Sequence, residues 1–210
     1  MGKVKIAKKN AFIDMTPMSD VMVLLLTFFM LTSTFVKPEP VQVLTPQSTS
    51  EIKVPDTDVL SILVDKEGKV FMSLDNQGYL RAAFEDMCSQ YGVSVTGEEI
   101  GKFYRAPMFG VPMNTLGSYL KLSEQDMNKA LAEYGIPTDS VDGGLSEFQN
   151  WVKVIKTTYV DLAPDADLKI AIKADANTPY KVISKIMTEL QDIRENRYYL
   201  LTSLKKDDGK

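Results

Sequence analysis

The residue that stands out for chemistry is Asp20, which is followed by sixteen uncharged residues, Val21 to Val36, reading VMVLLLTFFMLTSTFV and closed by Lys37. An ionisable group on an apolar helix is expensive and by default marks a path for ions or protons. Thr27 and Thr34 lie seven and fourteen residues beyond Asp20, with Leu24 and Leu31 between them. Helical geometry therefore sets Asp20, Leu24, Thr27, Leu31 and Thr34 on one stripe, a candidate pore-facing surface carrying a carboxyl and two hydroxyls. On position alone, two roles for Asp20 stay open. As a charge complementing the positive end of a helix it stays ionised and contributes about 0.3–1 kcal/mol. Buried against a partner, it is driven toward the neutral form and becomes able to take up and release a proton.

The rest of the composition excludes most other chemistry. The chain has 210 residues, 44% hydrophobic and 25% charged, with a formal net charge of -4. It is globular in character and too acidic to wrap nucleic acid. It contains no histidine, which removes the commonest general base and the commonest nitrogen ligand of zinc. Cys88 is the only cysteine, so neither an internal disulfide nor a cysteine metal site can form. No phosphate-binding glycine loop, calcium loop or internal repeat is visible. The expectation is a protein that is not an enzyme and holds neither cofactor nor metal.

The element that must carry Asp20 is a transmembrane helix at 17–37, about 30 Å long at ~1.5 Å per residue, in contact with membrane lipid. Thr16 and Pro17 form the helix start, Thr16 as N-cap and Pro17 at the first helical position, and Pro38 and Pro40 stop the helix beyond Lys37. Lys3, Lys5, Lys8 and Lys9 precede the apolar run, so residues 1–16 are expected in the cytoplasm and the remainder is exported. A cleaved signal peptide has a similar lysine-rich start. Asp14 and Asp20 inside the approach, and the lack of a small-x-small cleavage site, favour an uncleaved anchor.

Residues 38–57 hold Pro38, Pro40, Pro46 and Pro55 among Thr, Ser and Gln, the composition of an extended linker. Val59 to Val64 and Val70 to Ser73 flank Asp65-Lys66-Glu67-Gly68-Lys69 and predict a β-hairpin. Helical spacing predicts helices over 79–91 (Leu80, Phe84, Met87), 123–134 (Met127, Ala130, Leu131, with Gly135 as stop) and 145–158 (Phe148, Val152, Ile155). Thr96 to Glu99 has capping-box form. Leu168 to Ile172 alternates as a strand, a helix opens at Thr178-Pro179 with Tyr180, Ile183, Met187 and Leu190 on one face, and Tyr198 to Ser203 ends the fold as a strand. Asp175 reads as a turn or capping residue. The run from Lys102 to Met113 mixes aromatics, methionines and prolines; it is the most ligand-like segment if exposed, and core filling otherwise. Residues 205–210 read as a polar tail.

The stretch Ile13-Asp14-Met15-Thr16-Pro17-Met18-Ser19-Asp20-Val21-Met22-Val23-Leu24-Leu25-Leu26, followed by Phe28-Phe29-Met30, resembles the single transmembrane helix of the ExbD/TolR family, including its Thr-Pro and the aspartate three residues past the proline. Ile172-Lys173-Ala174-Asp175, Pro179-Tyr180, Val182, Ile186-Met187 and Leu190 resemble the end of that family's periplasmic domain. The resemblance implies an α+β chain: a single N-terminal transmembrane helix, then a small periplasmic α/β sandwich over 58–204 whose helices cover one face of a sheet. The distance from hairpin to final unit exceeds the family's, which implies a mostly helical insertion at about 76–143.

The resemblance also implies a place in the cell and a set of partners. The chain would sit in the inner membrane as a single-pass protein with a cytoplasmic N-terminus and a periplasmic C-terminal domain. Its partners would be a pentameric ExbB/TolQ-like membrane subunit, a second copy of itself and a TonB-like protein. Asp20 would be the proton-translocating residue of a motor driven by the proton gradient that energises TonB-dependent outer-membrane transport. A TolR-like motor for envelope maintenance and a membrane-tethered periplasmic binding module are the alternatives.

Overall fold

The computed structural model of the chain describes residues 15–33, 40–41, 43–48, 57–140, 143–163 and 167–204. Thr34, most of the linker 38–57, the tail 205–210 and the segment up to Asp14, expected in the cytoplasm, lie outside the described residues. The chain divides into two units, 1–37 and 38–210. The first contains helix α1 (Thr16–Thr32).

In the second unit the hairpin forms as the pattern predicts. Strands β2 (Val59–Val64) and β3 (Val70–Leu74) pair antiparallel, with Leu60 opposite Leu74 and Val64 opposite Val70. Asp65 builds the turn: its Oδ1 accepts from the backbone N–H groups of Glu67 (2.9 Å) and Lys69 (2.8 Å). Gly68 supplies the positive φ of 84° that the turn requires. Strand β4 (Lys169–Ala174) joins β2 in parallel, and β5 (Tyr198–Leu201) joins β4 in parallel, giving the order β3-β2-β4-β5. Helix α7 (Tyr180–Asp192) makes the crossover between the last two strands.

Strand alternation explains what the sheet buries. Leu60, Ile62, Val64, Val70, Met72, Leu74, Ile170 and Ile172 share one face and are all buried. The opposite face is mixed, with Phe71, Leu63 and Ala171 buried and Ser61, Lys169 and Lys173 only half-buried. The sheet and its helices make the mixed α+β unit expected from the sequence. On α7 the buried residues are Ile186, Glu189 and Leu190, whereas Tyr180, placed by periodicity on the inner face, is 77% exposed. It is the first residue of the helix, where the stripe has not yet reached the core.

Between β3 and β4 stand five helices: α2 (Gln77–Tyr91), α3 (Gly97–Arg105), α4 (Met113–Tyr119), α5 (Glu124–Leu131) and α6 (Glu147–Leu162). Their starts carry sequence-legible caps. Asn76 accepts from Gly78 N–H, Thr96 and Glu99 close a capping box, Ser123 caps α5, and Ser146 with Gln149 forms a second box. Periodicity does not announce α4, a seven-residue helix, because so short an element shows barely two turns of pattern. Gly135 does not stop α5, which ends at Leu131; a Cβ there would stand 2.9 Å from Lys69 Cβ, so this glycine serves a close approach to the hairpin.

The ligand-like run from Lys102 to Met113 is core. Phe103, Met108, Phe109, Val111 and Met113 are buried, and Phe103 stacks on Phe84 with centroids 4.1 Å apart while Phe109 lies 4.8 Å from Trp151. These rings join α2, α3 and α6 into one cluster. The segment also closes a sheet edge. Phe109 and Met72 exchange both backbone hydrogen bonds, at 2.7 and 2.8 Å, Ser73 Oγ donates to Pro107 O, and Ile136 N–H donates to Val70 O. The outer edge of β3 is thus occupied, as edge strands must be to avoid stray pairing.

Gly110 follows Phe109, and a Cβ there would come within 2.3 Å of the Phe71 ring, whereas a Cβ on Gly117 in α4 meets nothing within 4 Å. Gly110→Ala is therefore expected to destabilise the unit by about 1–3 kcal/mol through overpacking. Gly117→Ala should be neutral or stabilising by up to ~1 kcal/mol through helix propensity. Thermal unfolding of the two purified variants beside the parent chain reads both signs.

Candidate functional site

Helix α1 forms because its seventeen residues, more than half of them Met, Leu or Phe, include a proline set in the first turn. Its first helical residue is Thr16, and Met15 takes the N-cap position expected of Thr16, without a side-chain capping bond. The helix ends at Thr32, where Ser33 turns extended (φ -72°, ψ 107°) while its N–H still reaches Phe29 O. The expected helix at 17–37 is thus shortened at its C-terminal end. At ~1.5 Å per residue the observed helix is about 25 Å long. Among the described residues, no helix is long and apolar enough to cross a membrane.

Asp20 is the only ionisable residue of α1. It is exposed, and no side-chain hydrogen bond or ion pair links it to any other described residue. Leu24, Thr27 and Leu31 fall within about 40° of it around the helix, as the stripe requires; Thr34 lies outside the described residues. None of the α1 side chains is buried, so the whole apolar surface lacks a partner within its own unit. Thr27 does not reach Asp20, which is two turns away. Its hydroxyl donates to Leu24 O at 2.9 Å, and that of Thr32 donates to Phe28 O at 2.8 Å, the back-bonding by which a hydroxyl satisfies itself in apolar surroundings.

In the second unit three acids have structural partners that account for them. Asp175, which the sequence marks as a turn residue, accepts from Asn177 N–H through Oδ1 and from Leu44 N–H through Oδ2, both at 2.9 Å. Ala176 N–H returns a bond to Leu44 O at 2.7 Å. Linker residue Leu44 is thereby tied to the end of β4. Nearby, β1 (Gln47–Ser48) runs parallel to β6 (Ser203–Leu204), which continues the line of β5 past Thr202. No periodic signal predicts this pairing, since two-residue strands have none. Glu189 is buried and accepts from Ser146 Oγ at 2.7 Å; burial raises its pKa above 4.5 against the pull of that hydroxyl. Burial likewise raises that of Glu147, whose carboxylate accepts from Met113 N–H at the start of α4. Cys88 is buried, and desolvation, with Glu85 nearby, pushes its thiol up to about 11, which leaves it unreactive at neutral pH.

Among the described residues no group of three or more acids or cysteines could hold a metal ion. The enclosed cavity beside Phe103, Phe109 and Trp151 is about 10 Å³, too small for an organic ligand. The carboxyl of Asp20, alone on its apolar helix, is therefore the candidate site.

The N–H groups of Asn177 and Leu44 hold the Asp175 carboxyl below its ordinary 3.8. A depressed acid stabilises the fold above the ordinary value and loses that contribution as pH falls through the folded-state value. Asp175→Asn should release Leu44, raising amide exchange at Leu44 and Ala176 severalfold at pH 7 while leaving β2–β4 protection intact. It should also reduce the loss of stability of the parent chain below pH 4. Hydrogen exchange by mass spectrometry and acid-unfolding curves check the pair.

The family model described as biopolymer transport protein ExbD/TolR matches residues 7–205, nearly the whole chain. Proteins of that family are membrane-anchored and work with ExbB/TolQ-type partners. No curated protein and no solved structure matches the chain. With a single carboxyl on an apolar N-terminal helix followed by an α+β unit, the chain belongs to the ExbD/TolR family of biopolymer transport proteins.

Proposed function

We propose that this chain is the proton-coupling subunit of an inner-membrane motor of the ExbB–ExbD type, driven by the proton gradient and energising TonB-dependent transport at the outer membrane. The observation that carries the reading is Asp20, the lone ionisable group of a helix with no buried residue. A helix of this kind needs a protein partner that covers the apolar surface and offers the carboxyl both a polar and an apolar setting. A pentameric ExbB/TolQ-like subunit enclosing α1 and a second copy of it supplies that partner. A helix of about 25 Å in a core of about 30 Å is accommodated by local thinning and by packing within such an assembly.

In this mechanism Asp20 takes a proton where it faces a polar access path, turns neutral against the apolar wall, and releases the proton on the other side. Each passage biases the helix toward its next orientation. One charge crossing 100 mV supplies about 2.3 kcal/mol, so work transmitted to the periplasmic unit accumulates over several passages. The chain acts by coupling and not by catalysis, with protons as its only cofactor and α1 as its single-pass anchor. The TolR-like branch shares the same helix and differs in what the periplasmic unit engages.

Asp20→Asn is expected to abolish gradient-dependent uptake through the outer membrane while membrane insertion and co-purification with the ExbB-like subunit stay equal to the parent. Loss of detergent resistance with uptake intact would assign the chain to the TolR branch, and retention of both phenotypes would reduce α1 to an anchor. Thr27→Val tests the relay along the stripe. Because Thr27 already donates to Leu24 O, its replacement should slow uptake only if that hydroxyl turns to the proton path during the cycle. A drop of at least fivefold at unchanged insertion is the outcome for a relay, and parental uptake removes Thr27 from the path.

A further inference from the structure

Two grooves meet at the corner where α6 ends and α7 leads into β5. The first, about 560 Å³, lies between the C-terminal half of α6 and residues 192–195, with Leu145, Val152, Val160 and Ile193 as its apolar wall. The second, about 430 Å³, shares Lys156, Val160, Arg194 and Glu195 with the first and runs on to Lys169, Arg197 and Tyr199 beside β5. Joined end to end, they make one channel along the face of the unit.

Its charge is opposite to that of its surroundings. Residues 38–210 carry a net charge of -7. Yet Lys153, Lys169, Arg194 and Arg197, which border the two grooves, have no carboxylate partner among the described residues; Lys156 alone is paired, with Glu195. The acids along the walls that remain unpaired are Asp167 and Asp192. Uncompensated cations gathered in one recess of an acidic protein raise the local potential for anions. The apolar wall is open as well: Val160 is 59% exposed and Leu145 is 41% exposed, above a Val152 that is fully buried. Arg194 adopts φ 65°, a left-handed conformation rare outside glycine, asparagine and aspartate, and sits at the junction of the two grooves. Among the described residues β5 pairs only with β4, whereas the opposite edge of the sheet is closed by Phe109 and Ile136.

We propose that this channel is a docking site for an extended acidic segment of a partner protein in which apolar side chains alternate with carboxylates. The apolar residues enter the Leu145–Val160 recess, and the carboxylates meet Lys153, Lys169, Arg194 and Arg197. An anionic bilayer fits less well, because the apolar residues line a concavity instead of projecting from the surface and the rest of the unit would be repelled by it. The inference concerns the unit 38–210 and stands whether or not Asp20 carries protons.

The test uses the full chain in detergent micelles and a fluorescein-labelled eight-residue peptide alternating glutamate and leucine, followed by anisotropy, with empty micelles as background. Saturable binding is expected. It should weaken at least tenfold in Lys169→Glu/Arg197→Glu and at least threefold in Val160→Ser, variants whose melting curves should match the parent because the changed side chains are not buried. Binding should also fall with added salt. A peptide with lysine for glutamate should not bind. The proposal is overturned by any of four results: no binding above empty micelles, equal affinity of the variants, equal affinity for a glutamate–glycine peptide, or displacement by phosphatidylglycerol vesicles but not by unlabelled peptide.

Discussion

A carboxyl on an apolar helix has two incompatible demands on its surroundings. The side chains of Val21 to Leu31 are best covered by lipid or by packed protein, while an ionised Asp20 needs water, a counter-charge or a proton. Lipid alone satisfies the first demand and not the second. Helix α1 leaves both unmet within its own unit, since none of its side chains is buried. The environment that meets them together is a protein wall with a polar opening, and a helix that moves between wall and opening carries a proton as it goes. The rest of the chain is compatible with the proposed arrangement: a short lysine-rich lead before the helix, and a linker and an acidic unit after it.

The second unit is organised around the edges of one four-stranded sheet. At β3 the segment around Phe109 supplies backbone partners, and the aromatic cluster from Phe84 through Phe103 to Trp151 locks that segment to α2 and α6. The helices between β3 and β4 are therefore part of the same core as the sheet and not an appended module. Asp175 performs a comparable service at the end of β4, where a single carboxylate gathers N–H groups from residue 44 and residue 177. Through it the chain arriving from the membrane side is fixed to the sheet before the hairpin begins, giving a mechanical path from linker to core that consists of a few backbone hydrogen bonds.

Much of this was legible in the residues. The hairpin, the helix between the last strands of the sheet, the Thr96–Glu99 capping box and the core faces of α2 and α6 rest on local signals: a glycine that needs positive φ, a Thr three residues before Glu, and apolar spacing of three and four; the Ser146–Gln149 box has the same signal but was not read from it. What escaped depends on partners distant in sequence. Gly135 looked like a helix stop because its close neighbour, Lys69, belongs to the hairpin. Tyr180 matched the stripe of α7 but precedes the turn at which that stripe meets the core. Lys102 to Met113 could be read as ligand-binding if exposed or as core filling, and the second reading holds, although composition does not reveal that Phe84 and Trp151 await its rings. At the candidate site the place of Asp20 on an apolar helix was visible from the sequence, whereas the end of α1 at Thr32 was not, since the run from Ser33 to Val36 stays uncharged and carries no cap signal.

The account turns on whether Asp20 moves protons. The direct measurement is proton flux into liposomes holding the chain together with its ExbB-like partner, read by an internal pH dye under an imposed membrane potential. The account predicts a flux that appears only when both proteins are present and that vanishes in Asp20→Asn, with complex assembly unchanged. Equal flux through the parent and Asp20→Asn complexes, or none through either while the complex remains active in cells, would contradict it.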